Sequence, residues 1–150
     1  MGVRMKISEI MTKEIKTLFP EMSALNGMET LTSLAISGLP VVDKAGKIVG
    51  IFTEKDVLRA ILPSYVSQVG RFVYENSPKT IKGKVAKLSE YKVGDLMRKE
   101  VVKVLEDTPV YEVARIMLTQ NVRRVPVVDR NDKMVGIVSR SGVLTAILKG

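Results

Sequence analysis

The chain has 150 residues, of which 45% are hydrophobic and 27% are charged, and these values are ordinary for a globular domain. It contains neither cysteine nor histidine, so its composition excludes thiol chemistry, disulfides, an imidazole base and most zinc sites. The formal net charge of +8 favours anionic partners. No apolar run approaches the roughly 18–20 residues that a membrane span needs, and we expect a cytoplasmic protein without a membrane partner.

One stretch of sequence occurs twice. Residues 39–62 return as residues 125–148 at an offset of 86, and the gapless alignment extends to residues 7–62 and 93–148. We therefore predict repeat one over 7–62, a linker over 63–92 and repeat two over 93–148, with both repeats contributing to one core. Four residues of the repeated pattern mark the register: Pro40 with Pro126, Asp43 with Asp129, Lys47 with Lys133, and Gly50 with Gly136.

Each repeat predicts the element order strand, helix, strand, strand, helix. In repeat one, Ser8 is a candidate cap of a helical turn over 7–14, and Gly38 is placed to end the helix that starts at Ser23. Pro63 ends the last helix. The remaining ranges follow from periodicity: strands over 15–19, 39–43 and 47–53, and an apolar helix face of Val57, Leu58, Ile61 and Leu62.

Repeat two shows the same elements. Thr108 is a good N-cap, and Pro109 suits the first helical position because a missing N–H costs nothing there. Strands are predicted over 101–105, 125–129 and 133–139. The last helix again has an apolar face, formed by Val143, Leu144, Ile147 and Leu148.

The linker differs from both repeats, with six basic and two acidic residues. Residues 64–75 read as an amphipathic helix that breaks at 76–78. A solvated, basic connector is the alternative, and we favour it. The helix would place its apolar side chains on one face: Tyr65, Val66, Val69, Phe72 and Val73.

No motif for catalysis is present. The chain has no phosphate-binding GxxxxGK loop, no HExxH zinc motif and no GxSxG elbow, and a serine would lack its usual histidine base. Asp43 and Asp129 stand where hairpin turns need aspartate. We expect neither an enzyme nor a metal site.

The junction between hairpin and helix carries the most informative residues. Thr53 and Asp56 have the spacing of a capping box, and a helix N-terminus of this kind also binds phosphate. Repeat two has Ser139 at the cap but Gly142 in place of the aspartate. The two junctions are therefore not equivalent, which drift alone would also explain.

The repeated pattern h-P-V-V-D-x-x-x-K-h-V-G-h-h-[ST]-x-x-[DG]-V-L resembles the cystathionine-β-synthase (CBS) domain, and two in tandem resemble a CBS pair. The resemblance implies an α/β fold of the α+β type, with two β-α-β-β-α repeats packed sheet to sheet about a pseudo-twofold axis. It also implies a non-catalytic regulator that binds AMP, ADP, ATP or S-adenosylmethionine. We expect a homodimer that acts through an effector protein or through its own assembly.

The same resemblance implies two nucleotide clefts. In the first, Thr53 contacts phosphate, Asp56 takes the ribose hydroxyls and Lys55 neutralises phosphate. Three residues of repeat two would hold the adenine there: Val102, Val122 and Arg123. The second cleft is expected to be weaker because Gly142 replaces the aspartate, and it would use Ser139, Arg140, Ser141, Arg124, Lys16, Ile36 and Ser37.

Three other functions remain open at the level of sequence. The positive charge suits nucleic acid, although the basic residues are not interleaved with the aromatic residues that single-strand binders use. A structural subunit without a ligand would show no response to nucleotides. An enzyme of an unrecognised kind would turn a nucleotide over.

Overall fold

The computed structural model describes residues 5–62, 82–83 and 85–150. The chain divides into two compact units, which cut across the sequence repeats. We call Thr17–Asp43 with Val49–Glu100 the repeat-one unit, and Met1–Lys16 with Lys44–Ile48 and Val101–Gly150 the repeat-two unit. The amphipathic helix expected over 64–75 and its break at 76–78 lie outside the described residues.

The repeat-one unit packs helices against a strand pair. Helix α1 (Ala24–Leu34), strands β1 (Gly38–Val42) and β2 (Ile48–Thr53) and helix α2 (Glu54–Ile61) come from repeat one. A 3₁₀ turn (Lys87–Ser89) and the short helix α3 (Val93–Leu96) come from further along the chain. Their apolar side chains form one core: Leu18, Ala24, Leu31, Leu39, Val41, Phe52, Val57, Leu88 and Val93.

The repeat-two unit is built in the same way. It contains a 3₁₀ turn (Ile7–Glu9), strand β3 (Val104–Leu105), helix α4 (Val110–Thr119), strands β4 (Arg124–Val128) and β5 (Met134–Ser139), and helix α5 (Arg140–Lys149). Strand β4 pairs in parallel with β3 and in antiparallel fashion with β5. The core consists of Ile7, Val104, Val110, Val113, Met117, Val125, Val127, Val138, Val143 and Ala146.

The opening segment of each repeat pairs with the hairpin of the other repeat. Thr12 N–H donates to Ile137 O at 2.8 Å, and Ile137 N–H returns a bond to Thr12 O at 3.0 Å. At the equivalent positions 86 residues apart, Ile51 and Arg98 exchange bonds of 2.9 and 2.8 Å. Each unit therefore combines most of one repeat with the first residues of the other.

Several local predictions hold. The two hairpins form where the sequence places them, and Ser23 caps α1 by accepting a hydrogen bond from Asn26 N–H at 3.1 Å. Thr53 and Ser139 are the N-cap residues of α2 and α5. Each of these caps depends on residues that lie within four positions of one another.

Three predicted caps are wrong. Ser8 lies inside the first 3₁₀ turn, whose cap is Lys6, and the Glu9 carboxylate accepts the Lys6 N–H at 2.7 Å. Helix α1 ends at Leu34, and its C-cap Ala35 takes the left-handed conformation at φ 55°, so Gly38 begins β1 instead of closing the helix. Pro109, and not Thr108, is the N-cap of α4, which starts at Val110, one residue later than predicted.

The strand that opens each repeat is shorter than predicted. In repeat one, the expected strand over 15–19 is reduced to a single parallel bridge between Leu18 and Val41. In repeat two only Val104–Leu105 of the range 101–105 is a strand. The other residues of the two ranges, 15–17, 19 and 101–103, are neither helix nor strand.

The predicted apolar faces of α2 and α5 are only partly buried. Val57 and Val143 are buried at 5% and 3% exposure. Leu58 and Leu144, which follow them, are exposed at 50% and 56%, and Leu148 is exposed at 78%. A helix on the surface of a small unit buries one stripe of side chains, and the remaining leucines of these helices face outward.

Candidate functional site

The first turn of α2 holds a buried carboxylate. Asp56 is 4% exposed and is the one buried polar or charged residue in the described part of the chain. Its Oδ2 accepts hydrogen bonds from Thr53 N–H at 2.8 Å and from the Thr53 hydroxyl at 3.1 Å. Thr53 has extended backbone torsions, as an N-cap requires, so the sequence T-x-x-D itself builds this arrangement.

The other oxygen of Asp56 bonds to a residue that the sequence reading did not single out. Arg59 donates from Nη1 to Asp56 Oδ1 at 2.7 Å, although its own side chain is 61% exposed. The two residues are three positions apart on α2, and this spacing brings helical side chains together. The spacing was visible in the sequence and could have predicted the pair.

The chain just before β1 is tied to the same helix start. Ser37 O accepts the Glu54 N–H at 2.9 Å, which satisfies one of the free N–H groups of α2. The Ser37 side chain remains exposed, and Ile36 is half-buried against the repeat-one core. Lys55 is exposed. The repeat-one unit thus gathers Ser37, Thr53, Lys55 and Asp56 around one helix end.

The start of α5 repeats this geometry with different side chains. Ser139 accepts the Gly142 N–H at 3.1 Å, and its hydroxyl lies 3.1 Å from that of Ser141. Arg123 O accepts the Arg140 N–H at 2.8 Å, which is the counterpart of the Ser37–Glu54 bond. Arg140 Nη2 also donates to Val122 O at 3.2 Å.

The charges at the two helix starts differ. The first turn of α2 contains Glu54 and Asp56, whereas the first turn of α5 contains no acidic residue. Instead, three exposed arginines lie there: Arg123, Arg124, which pairs with Ser139 across the β4–β5 ladder, and Arg140. Guanidinium groups suit carboxylate and phosphate oxygens, so the start of α5 favours anions and the start of α2 offers an acceptor.

The residues expected in each cleft are divided between the two units. Val102, Val122, Arg123, Arg124, Ser139, Arg140, Ser141 and Lys16 belong to the repeat-two unit, and Ile36, Ser37, Thr53, Lys55 and Asp56 belong to the repeat-one unit. Within the units, Ser37 lies beside Thr53 and Arg123 lies beside Ser139. The sequence assigned Ser37 to the cleft of Ser139 and Arg123 to the cleft of Thr53, and these assignments stay predictions. Val102 is half-buried, Val122 is half-buried against the repeat-two core, and Lys16 is exposed.

The repeat-two unit contains a cavity next to α5. Its volume is about 500 Å³, and its walls include Met5, Ile10, Ser139, Ser141, Gly142, Thr145, Ala146 and Lys149. Ser139 and Ser141 were expected to bind ligand, but the sequence reading did not anticipate Met5, Ile10, Thr145 and Lys149. Met5 and Ile10 reach this place because Met1–Lys16 belongs to the repeat-two unit.

The described residues show neither a cluster of metal ligands nor a membrane-spanning helix. The described residues contain no group of three or more histidine, cysteine, aspartate or glutamate side chains placed to hold a metal ion. Among the helices of residues 5–62, 82–83 and 85–150, none is long and apolar enough to cross a membrane.

Comparison with known proteins gives a consistent result. The model of the CBS domain matches residues 7–63 and 93–149. A CBS domain-containing protein of Dictyostelium discoideum is 26% identical over 147 residues, which cover 98% of this chain and 94% of that protein.

Solved structures of CBS pairs are also similar. The CBS-pair protein CBSX2 from Arabidopsis thaliana is 27% identical, with a TM-score of 0.75 and coverage of 96% of this chain and 94% of that one. The complex of CBSX2 with AMP has a TM-score of 0.71 at 27% identity, covering 96% of each chain. A third structure is the CBS domain pair of protein MJ0100 in complex with 5′-methylthioadenosine and S-adenosyl-L-methionine. It is 28% identical, with a TM-score of 0.64 and coverage of 97% of this chain and 100% of that one.

Proposed function

We propose that this chain, which belongs to the CBS domain family, is a regulatory module that binds an adenosine compound and catalyses no reaction. The observation that carries the proposal is the buried Asp56 carboxylate, held at the start of α2 beside Thr53 and Lys55. Relatives with a similar fold bind AMP in one case and 5′-methylthioadenosine with S-adenosylmethionine in another. These ligands share the adenosine group, and a ribose diol is a natural partner for a carboxylate.

The proposed roles at α2 follow from the chemistry of each side chain. Asp56 accepts hydrogen bonds from the ribose hydroxyls. The Lys55 ammonium group binds phosphate at the positive end of the helix, where backbone N–H groups and the helix dipole favour anions. The contact of Thr53 with phosphate stays a prediction, because in the structure its hydroxyl donates to Asp56 Oδ2 at 3.1 Å. The adenine contacts inferred for Val102, Val122 and Arg123 stay predictions.

We propose that the start of α5 binds an adenosine compound more weakly. Gly142 has no side chain to accept the ribose hydroxyls, whereas Arg124, Arg140 and Ser141 still provide donors for phosphate. Titration calorimetry of AMP should therefore resolve one tighter site, with the other weaker or empty. Two indistinguishable sites per chain would contradict this assignment. The contributions of Lys16, Ile36 and Ser37 to this weaker site stay predictions.

The experiment that tests the function is a ligand screen by thermal unfolding. The chain is melted with AMP, ADP, ATP, S-adenosylmethionine, GMP and IMP in turn. A ligand at about 100 times its dissociation constant stabilises the folded state by about 2.7 kcal/mol, which is readily detected. An adenosine compound should raise the melting temperature more than GMP or IMP does. If none of these compounds changed the melting temperature, the proposal would be contradicted.

We further propose that the chain forms a homodimer and signals through an effector protein. Large apolar side chains are exposed on the neighbouring helices α4 and α5: Tyr111, Leu118, Leu144 and Leu148. A patch of this kind is typical of an interface. Light scattering should give the mass of two chains, and Leu148→Lys should shift it toward one. The effector, together with the cytoplasmic location expected from the composition, stays a prediction.

The cluster of Arg123, Arg124 and Arg140 supports one alternative, which is binding to nucleic acid. Backbone phosphates would contact these guanidinium groups without sequence preference. A gel-shift titration at several salt concentrations discriminates between the functions, because binding through phosphate weakens steeply as salt rises. Binding of nucleic acid without any nucleotide-induced shift in melting would favour this alternative.

A further inference from the structure

We infer that Arg59 is a built-in competitor of the ligand at Asp56, so that the ribose must displace the Arg59 guanidinium to bind. The inference rests on the proposed function, since it concerns how the same carboxylate is shared. It assigns Arg59 the role of setting the affinity and the ribose selectivity of the site.

The hydrogen bonds of Asp56 leave too few free acceptor positions for both hydroxyls of a ribose. A carboxylate offers about four acceptor positions, two on each oxygen. Thr53 uses two positions on Oδ2, through its N–H at 2.8 Å and its hydroxyl at 3.1 Å. Arg59 uses one on Oδ1 at 2.7 Å. One position remains, whereas the two hydroxyls of a ribose need two.

Arg59 is the partner that can leave. Thr53 N–H belongs to the backbone at the start of α2, so its bond is lost only if the helix start unwinds. The Thr53 hydroxyl also accepts the Asp56 N–H, so it is held in the same capping box. The Arg59 side chain is 61% exposed, and water can solvate its guanidinium group once it is released. The Asp56 side chain is only 3% exposed, so it needs a replacement donor, and a ribose hydroxyl supplies one.

Repeat two shows what the same place looks like without the pair. The residues 86 positions after Asp56 and Arg59 are Gly142 and Thr145, and neither can form an ion pair. Both line the cavity of about 500 Å³ beside α5. The carboxylate and its competing guanidinium are thus a property of the α2 site alone.

The test compares AMP with an analogue that lacks both hydroxyls, 2′,3′-dideoxyadenosine monophosphate. Arg59→Met keeps the length of the side chain but removes its donors. We expect Arg59→Met to bind AMP roughly 3- to 10-fold more tightly, as removal of an exposed charged competitor predicts. The affinity for the dideoxy analogue should change less than about twofold, because the analogue does not need the freed acceptor.

Arg115 provides a matched control. It pairs with Glu112 three positions earlier on α4, and its side chain is 64% exposed. Arg115→Met therefore removes the same charge from a similar pair and should leave AMP affinity unchanged. Arg59→Gln serves as a second variant, with an intermediate gain in affinity, because a neutral amide competes more weakly for the carboxylate than a guanidinium does.

The outcomes separate this inference from the proposed function. If the parent chain binds AMP and Arg59→Met binds it equally or more weakly, Arg59 is not a competitor while the function stands. Equal gains for AMP and the dideoxy analogue would also overturn the inference, since the effect would not involve the ribose. Binding by Arg59→Met but not by the parent would support it. Failure of every variant to bind any adenosine compound would overturn both proposals.

Discussion

Asp56 combines a structural contact with the proposed contact to ribose, and two substitutions separate these roles. If the carboxylate binds ribose, Asp56→Asn and Asp56→Ala should both weaken AMP binding roughly 10- to 100-fold, the loss of a hydrogen bond to a charged group. Asp56→Asn should melt near the parent chain, because asparagine can still accept the Thr53 N–H. The measurements are calorimetric titration with AMP and melting without ligand.

The opposite pattern would restrict Asp56 to capping. Loss of a cap costs about 1 kcal/mol of stability and leaves the phosphate-binding groups in place. A lower melting temperature with unchanged AMP affinity in both variants would therefore contradict the role in ribose binding. Ser139→Ala is a control for the capping effect, because Ser139 caps α5 in the same way without an aspartate three residues later.

At the scale of the helix, the end of α1 holds a strained residue. Ala35 adopts φ 55° in the left-handed region, which costs a residue with a Cβ atom roughly 1–2 kcal/mol. Ala35→Gly should therefore raise the free energy of unfolding by about 0.5–1 kcal/mol, measured by urea denaturation. The equivalent Asn121 has φ 53°, and asparagine tolerates this region better, so Asn121→Gly should gain less. A larger gain at Asn121 would contradict this explanation.

The second strand of each hairpin, β2 or β5, has a glycine where the opening segment of the other repeat lies close to the backbone. A Cβ atom on Gly50 would lie 2.8 Å from Arg98 O and 2.5 Å from Met97 Sδ. The carbonyl cannot move away, because Arg98 and Ile51 are hydrogen-bonded through their backbones. Gly50→Ala should therefore cost about 1–3 kcal/mol of stability.

Gly136 is the matched position in repeat two and should respond less. The three nearest atoms to a Cβ there all belong to the side chain of Met11. Denaturation of Gly136→Ala should thus show a smaller loss than Gly50→Ala. Equal losses at the two positions would indicate that the side chains, and not the Arg98 carbonyl, set the cost.

At the scale of the whole molecule, the repeats exchange their opening segments. Ile7 comes from repeat one, yet it is completely buried at 0% exposure in the core of the repeat-two unit. Ile7→Ala should destabilise that unit by about 2–5 kcal/mol, as for other large core truncations. Hydrogen exchange should accelerate in β4 and β5 more than in β1 and β2.

Val93 provides the matching test for the opening segment of repeat two. It belongs to repeat two but is completely buried in the repeat-one core at 0% exposure, and its N–H donates to Met22 O at 2.8 Å. Val93→Ala should accelerate hydrogen exchange in β1 and β2 first. Faster hydrogen exchange mainly in β1 and β2 for Ile7→Ala, and mainly in β4 and β5 for Val93→Ala, would contradict this swap of opening segments between the repeats.

The sequence alone determined the repeats, the two hairpins, the main helices and the N-caps Thr53 and Ser139. These features depend on short-range signals, since hydrophobic periodicity is read over about ten residues and a cap over four. Thr53 and Asp56 form their hydrogen bonds because the T-x-x-D spacing brings an N-cap residue and the third helical residue together. The asymmetry between Asp56 and Gly142 was equally visible in the printed sequence.

The tertiary structure decided what each segment packs against. The first 16 residues alone do not predict that Ile7 packs in one core with Val110 and Val127. That packing depends on residues about a hundred positions further along the chain. The same long-range packing brings Met5 and Ile10 to the cavity beside α5. Similarly, the sequence contained the Asp56–Arg59 spacing, but only the fold buries the carboxylate and leaves the guanidinium exposed, and this difference in solvation makes Arg59 the displaceable partner.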